Sequence, residues 1–175
     1  MPKKKQSRRA VVVSGVRTPF VRAFSEFLKM DTFALGGASV AALLERTNLS
    51  QQDVDAIVWG GVILPSAAPN VAREIALDLG LPASVEGMTV TRACASGLQS
   101  ITTAVAAIER GDADVIIAGG SDSTSNAEVS LPSKAVHLLA PFAFGKASPS
   151  DVMGVLSQLM PLGDILPKMP KIAER

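Results

Sequence analysis

Four short apolar runs alternate along the chain with segments of helical period, and this alternation limits the fold more than any other feature. The runs are Ala10–Val13, Ala56–Trp59, Met88–Val90 and Asp114–Ala118, and glycine pairs close the second and the fourth. Short continuous apolar runs suit strands covered on both faces. Between them, Asp31 to Arg46 reads as a helix, with Asp31 as its cap and Val40, Leu43 and Leu44 at helical spacing. Gly36 and Gly37 inside it predict close packing against a neighbour. Ser50-Gln-Gln-Asp53 resembles a capping box that opens a single turn. Asn70 caps a second helix striped by Val71, Ile75 and Leu79 and stopped by Gly80 and Pro82. A third helix follows Cys94 and runs to Glu109, with Leu98, Ile101, Val105 and Ile108 on one side. It carries no charge before Glu109, which predicts burial on nearly all sides. The order β-α-β-α-β-α-β predicts an α/β fold: a mostly parallel sheet, helices on both faces and right-handed crossovers.

A chain of 175 residues, 47% hydrophobic, is long enough for one ordinary domain with a core. Its net charge of +1 gives no global electrostatic case for nucleic acid. Residues 1–9, which include Lys3, Lys4, Lys5, Arg8 and Arg9, read as a basic solvated tail. Residues 10–126 hold the α/β pattern. Residues 127–175 are punctuated by Pro132, Pro141, Pro149, Pro161, Pro167 and Pro170 and show no core of their own. One amphipathic stretch stands there, at Val152, Val155, Leu156 and Leu159. The ordinary reading of these apolar residues is an incomplete subdomain, and nothing supports a membrane-surface role over it. No apolar stretch approaches bilayer length. One cysteine makes neither an internal disulfide nor a cysteine metal cluster, so no metal is expected and a reducing compartment, cytoplasm or mitochondrial matrix, fits. The turns carry neither Gly-x-Gly-x-x-Gly nor Gly-x-x-x-x-Gly-Lys-Ser/Thr, which argues against a nucleotide-binding α/β fold.

That cysteine, Cys94, sits where the third predicted strand runs out and the third helix begins. Two readings stand side by side. A helix N-terminus offers free N–H groups and the positive end of a dipole, which stabilise a thiolate; a lone cysteine is otherwise a small buried hydrophobe.

Four motifs fall at the junctions of this pattern: Arg17-Thr-Pro-Phe20, Asn70-Val-Ala-Arg73, Arg92-Ala-Cys-Ala-Ser-Gly97 and Ala118-Gly-Gly-Ser-Asp-Ser123. Together and in this order they resemble the thiolases, and most closely the degradative 3-ketoacyl-CoA thiolases of fatty-acid oxidation complexes. The resemblance implies a thiolase half-domain over residues 10–126, followed by the start of the CoA-binding loop region. Its sheet would have five strands, four of them supplied here, and its third helix would be covered on both sides. It implies a homodimer formed through the strand Met88–Thr91, and a fatty-acid oxidation α subunit as a further partner. Cys94 becomes the catalytic nucleophile of an acetyl-CoA C-acyltransferase, with coenzyme A as substrate, no permanently bound cofactor and no assigned cofactor-binding residue. Its backbone N–H would contribute to an oxyanion hole. Ser96 and Gly97 would shape the first turn, Gly97 as the residue that lets chains approach closely.

The family's mechanism also uses a His in a Gly-His-Pro motif and a second Cys in a Cys-x-Gly-Gly motif. Neither motif occurs in these 175 residues. His137 stands between Val136 and Leu138 and reads as a surface or loop histidine. The sequence therefore looks like the N-terminal half of a thiolase, inactive alone. Two alternatives stay open: a biosynthetic acetoacetyl-CoA thiolase or ketoacyl synthase, and a non-catalytic thiolase-like binding or assembly module.

Overall fold

The computed structural model describes residues 8–128 and 133–158. They form two compact units, the first ending at Glu128 and the second lying beyond it.

In the first unit, α1 (Thr32–Thr47) begins where Asp31 accepts the backbone N–H of Ala34 at 2.7 Å and ends at Asn48 in the left-handed conformation. Ser50 accepts the N–H of Gln52 and opens a single 3-10 turn, as its motif predicts. Strand β1 (Ala56–Gly60) follows. Asn70 caps α2 (Val71–Asp78) through the N–H of Arg73, and β2 (Glu86–Val90) comes next. Helix α3 (Ser96–Arg110) closes at Gly111, whose φ of 86° favours glycine. Strand β3 (Ile116–Gly120) completes the sheet.

The sheet is parallel with order β2-β1-β3, and Ala56 stands level with Glu86 on one side and Ile116 on the other. Alternation along the strands sorts the two faces. Ile57, Trp59 and Ile117 point into the main core with Val40, Leu44, Val71, Ile75 and Ala76, so α1 and α2 cover that face. Gly60 and Gly120 point toward the start of α3 on the other. Gly36 explains its own place in α1: a Cβ there would lie 2.7 Å from Ile75 Cδ1 and 3.1 Å from Trp59 Nε1.

The α/β reading with helices on both faces holds, with four corrections. First, Ala10–Val13 is not a strand. Val11, Val12 and Val13 are 76%, 84% and 86% exposed, and the described sheet has three strands, not four. Strand propensity needs a ladder partner. The arm carrying this run is pinned at both ends instead: Arg8 pairs with Asp114, and the N–H of Phe24 donates to Ser125 Oγ at 2.9 Å. Second, the last strand starts at Ile116 rather than Asp114. The N–H groups of Asp114 and Val115 donate to Asp55 Oδ2, which takes them out of the ladder.

Third, among the described residues α3 is covered on one side only. It buries the small stripe Ser96, Ser100 and Ala104 and leaves Leu98 65% and Ile101 42% exposed. Small residues let the helix sit close to the sheet, and the large apolar residues face away. Fourth, the proline-rich segment holds a second helix besides the one on the expected amphipathic stretch. In the second unit α4 (Ser133–Ala143) carries Pro141 inside it, and α5 (Pro149–Gln158) spans Val152, Val155 and Leu156. Pro141, which has no N–H, cannot donate to the carbonyl four residues back and falls in the last turn of the helix. Leu159 lies outside the described residues, as do Lys3, Lys4 and Lys5.

Candidate functional site

The site is built on the junction between β2 and α3. The chain leaves β2 at Val90, turns through Arg92 to Ala95 and enters the helix at Ser96. Ala93 adopts φ 47°, a left-handed conformation that L-residues rarely take. The turn is closed by Ala95 N–H to the Arg92 carbonyl and Ser96 N–H to the Ala93 carbonyl, both at 3.1 Å. Cys94 sits at its apex with an exposed thiol. It is not the buried hydrophobe of the alternative reading.

Two glycines set the depth of this turn. A Cβ on Gly60 would run into the carbonyl carbon and oxygen of Ser96 and lie 2.8 Å from Gly97 N; one on Gly120 would lie 3.2 Å from Gly97 Cα. Gly97, expected to permit the close approach, has open space where its Cβ would be. The close approach depends on the strand ends, because backbone there meets backbone.

Cys94 opens onto a cavity of about 660 Å³. Its walls come from the arm at residues 14–23, from α1, from β3 with the segment after it, and from the turn at Ala93, Cys94, Ser96 and Gly97. Three of the four motifs meet here. Arg17 lies over the Phe20 ring, 5.7 Å from its centroid, on the arm side. The Gly119-Gly-Ser-Asp-Ser123 segment also lines the cavity. The fourth motif does other work: Asn70 Nδ2 donates to the Gly87 carbonyl and Arg73 Nη1 to the Val85 carbonyl, which fixes α2 against β2.

Sequence reasoning missed the residues that hold these walls together. Ser121 Oγ accepts from Trp59 Nε1 at 2.9 Å and donates to the Thr32 carbonyl at 2.7 Å. Asp122 Oδ1 accepts the N–H groups of Val62 and Ile63 at 2.8 and 2.6 Å. Asn126 Nδ2 reaches the carbonyls of Leu28 and Met30. For Ser121 and Asp122 the run Ser-Asp-Ser after a glycine pair was the only signal, since short polar side chains there satisfy loop backbone. At the opposite end of the sheet, the N–H groups of Val115 and then Asp114 hold the Asp55 carboxyl below its usual range. His137 is exposed on α4, in the second unit, as a surface histidine and on a helix rather than a loop. Among the described residues no three His, Cys, Asp or Glu side chains stand together as a metal site, and no helix is long and apolar enough to cross a membrane.

The sequence profile of the thiolase N-terminal domain matches residues 10–158. This chain belongs to the thiolase family. It is 35% identical over 169 residues to the 3-ketoacyl-CoA thiolase of Shewanella halifaxensis (strain HAW-EB4), covering 97% of this chain and 38% of that protein. To the 3-ketoacyl-CoA thiolase of Pseudoalteromonas translucida (strain TAC 125) it is 36% identical over 166 residues, covering 95% and 38%. Among solved structures it resembles the acetyl-CoA acetyltransferase of Bacillus anthracis, with a TM-score of 0.71, 27% identity, and coverage of 74% of this chain and 33% of that one. A thiolase from Ascaris suum in complex with coenzyme A matches with a TM-score of 0.65 and 28% identity, over 68% of this chain and 31% of that one. The chain thus spans about two fifths of the length of these thiolase relatives.

Proposed function

We propose that this chain carries the nucleophile of a 3-ketoacyl-CoA thiolase, with Cys94 as the residue acylated. One observation carries the reading: an exposed thiol at a strand-to-helix turn opens onto a cavity where three thiolase motifs converge. The Cys94 thiolate attacks the C3 carbonyl of a 3-oxoacyl-CoA. The C2–C3 bond breaks, its electron pair stays on C2, and a proton delivered to C2 releases acetyl-CoA. The acyl group remains on Cys94 as a thioester until a CoA thiolate attacks its carbonyl and expels the Cys94 thiolate. The proton steps belong to the Gly-His-Pro and Cys-x-Gly-Gly motifs of the family, which these 175 residues do not contain. The chain alone is therefore expected to present the nucleophile without completing turnover. Fatty-acid degradation fits the names of the relatives at 35% and 36% identity. The outer edge of β2, unpaired among the described residues and bearing the exposed Met88, supports a dimer through that strand.

Alkylation tests the reading. Cys94 in the 175-residue chain should react with iodoacetamide at pH 7 clearly faster than free cysteine, and the C94A variant should take up no label. Purified chain should show no thiolysis of acetoacetyl-CoA. A Cys94 no faster than free cysteine would favour the second reading, a non-catalytic thiolase-like module.

A further inference from the structure

We infer that Ser96 is a positioning residue for Cys94, because its hydroxyl locks Ala93 in the left-handed conformation that aims the thiol into the cavity. The inference rests on the nucleophile reading above and adds to it the device that holds the nucleophile in place. Ser96 is only 3% exposed, and its Oγ makes two bonds to the turn. It donates to the Ala93 carbonyl at 2.6 Å and accepts the N–H of Arg92 at 2.8 Å. The Ala93 carbonyl also receives the Ser96 N–H, so one residue reaches it twice. Helix α3 has no side-chain cap at Ala95, and both bonds of the Ser96 hydroxyl run back to the turn that precedes the helix, to Arg92 and Ala93.

The lock is needed because Ala93 holds φ 47° against its own preference. A left-handed conformation is disfavoured for an L-residue by roughly tenfold in population or more. Such strain persists only where surrounding bonds over-determine it, and it gathers at functional sites. The direction of the Cys94 side chain follows from the backbone angles of the residue before it. If Ala93 relaxes to negative φ, the apex of the turn swings and the thiol leaves its place at the cavity. Ser96 does not move in compensation, because its carbonyl is seated against Gly60.

Alkylation rates of Cys94 from pH 6 to 9, measured on the 175-residue chain, test this together with the intraresidue amide-to-Hα NOE at residue 93, which is strong only at positive φ. Ser96→Ala should slow alkylation at pH 7 by roughly tenfold and weaken the NOE. The double variant A93G/S96A should return to within about twofold of wild type, since glycine takes positive φ without strain. Ala93→Val, on an exposed side chain, keeps Ser96 and disfavours positive φ, so it should slow alkylation without disturbing the core and stands in if Ser96→Ala does not fold. Wild-type rates in Ser96→Ala or in Ala93→Val, or a double variant as slow as Ser96→Ala, would overturn the inference. Wild-type Cys94 no faster than free cysteine would instead sink the nucleophile reading. The NOE in Ser96→Ala would then still decide whether Ser96 holds the turn.

Discussion

Gly60→Ala tests whether the strand ends set the position of Cys94. The added methyl would overlap the Ser96 carbonyl and stand 2.8 Å from Gly97 N, where relaxed contacts lie about 3.5–4.0 Å apart. Both sides of this contact are backbone, so no rotamer change relieves it. The start of α3 must retreat by about 1 Å. Overpacking of this kind costs about 1–3 kcal/mol, and rigid backbone on both sides places Gly60→Ala at about 3 kcal/mol. For a chain of this size that lowers Tm by about 6–12 °C. Cys94 moves with the helix, and a displacement of about 1 Å can cost about a hundredfold in a reaction that needs alignment. Alkylation, which needs less alignment, should slow by less. Thermal melts and iodoacetamide kinetics on the same preparation read both effects. Gly97→Ala is the control: its Cβ meets open space, so it should leave alkylation unchanged and cost no stability. A Gly60→Ala chain that melts within 2 °C of wild type and alkylates at its rate would refute the reasoning.

Asp55→Asn should destabilise the chain by about 1 kcal/mol at pH 7, because two charge-assisted bonds become weaker and the group is exposed to solvent. The Asp55 carboxyl is held below its ordinary unfolded value, so its contribution is fully present above that value and is lost as pH falls through its folded value. Denaturant midpoints at pH 7 and pH 3 should differ less in the Asn variant than in wild type, and equal differences would remove Asp55 as a cause. Replacing Leu98 and Ile101 together by Ser should improve solubility with a Tm change of less than about 3 °C, since both are already exposed in this chain. A large Tm loss would place them in a core. Ser121→Ala should cost about 1–3 kcal/mol in a denaturant melt, because it leaves Trp59 Nε1 without its partner and removes the bond to the Thr32 carbonyl. A neutral result would show that water replaces both.

The elements with local chemistry were legible in the sequence. Asp31, Ser50 and Asn70 mark helix starts because each satisfies backbone within a few residues of itself. The place of Cys94 was legible for the same reason, since a strand-to-helix junction is a local event. The residues that shape the site were not. Gly60 and Gly120 meet α3 only after the sheet has formed, and Ser121 and Asp122 bond to residues 59 to 89 positions away. Long-range backbone contacts leave no period in a sequence, and a glycine at a strand end reads first as a turn.

The two misjudged burials have one cause, and it bears on what the chain can do alone. Val11–Val13 and the Leu98 and Ile101 face of α3 carry apolar patterns that call for a cover, and the described residues supply none. Hydrophobic pattern reports that a face wants covering without naming what covers it. The placement of Cys94 does not draw on those faces. It comes from Gly60 and Gly120 beneath the helix start and from Ser96 within the turn, all inside the first unit. Presentation of the thiol is thereby separated from the chemistry that follows it. Cys94 in this chain should react as a placed thiol while the handling of protons waits on groups that these 175 residues do not include.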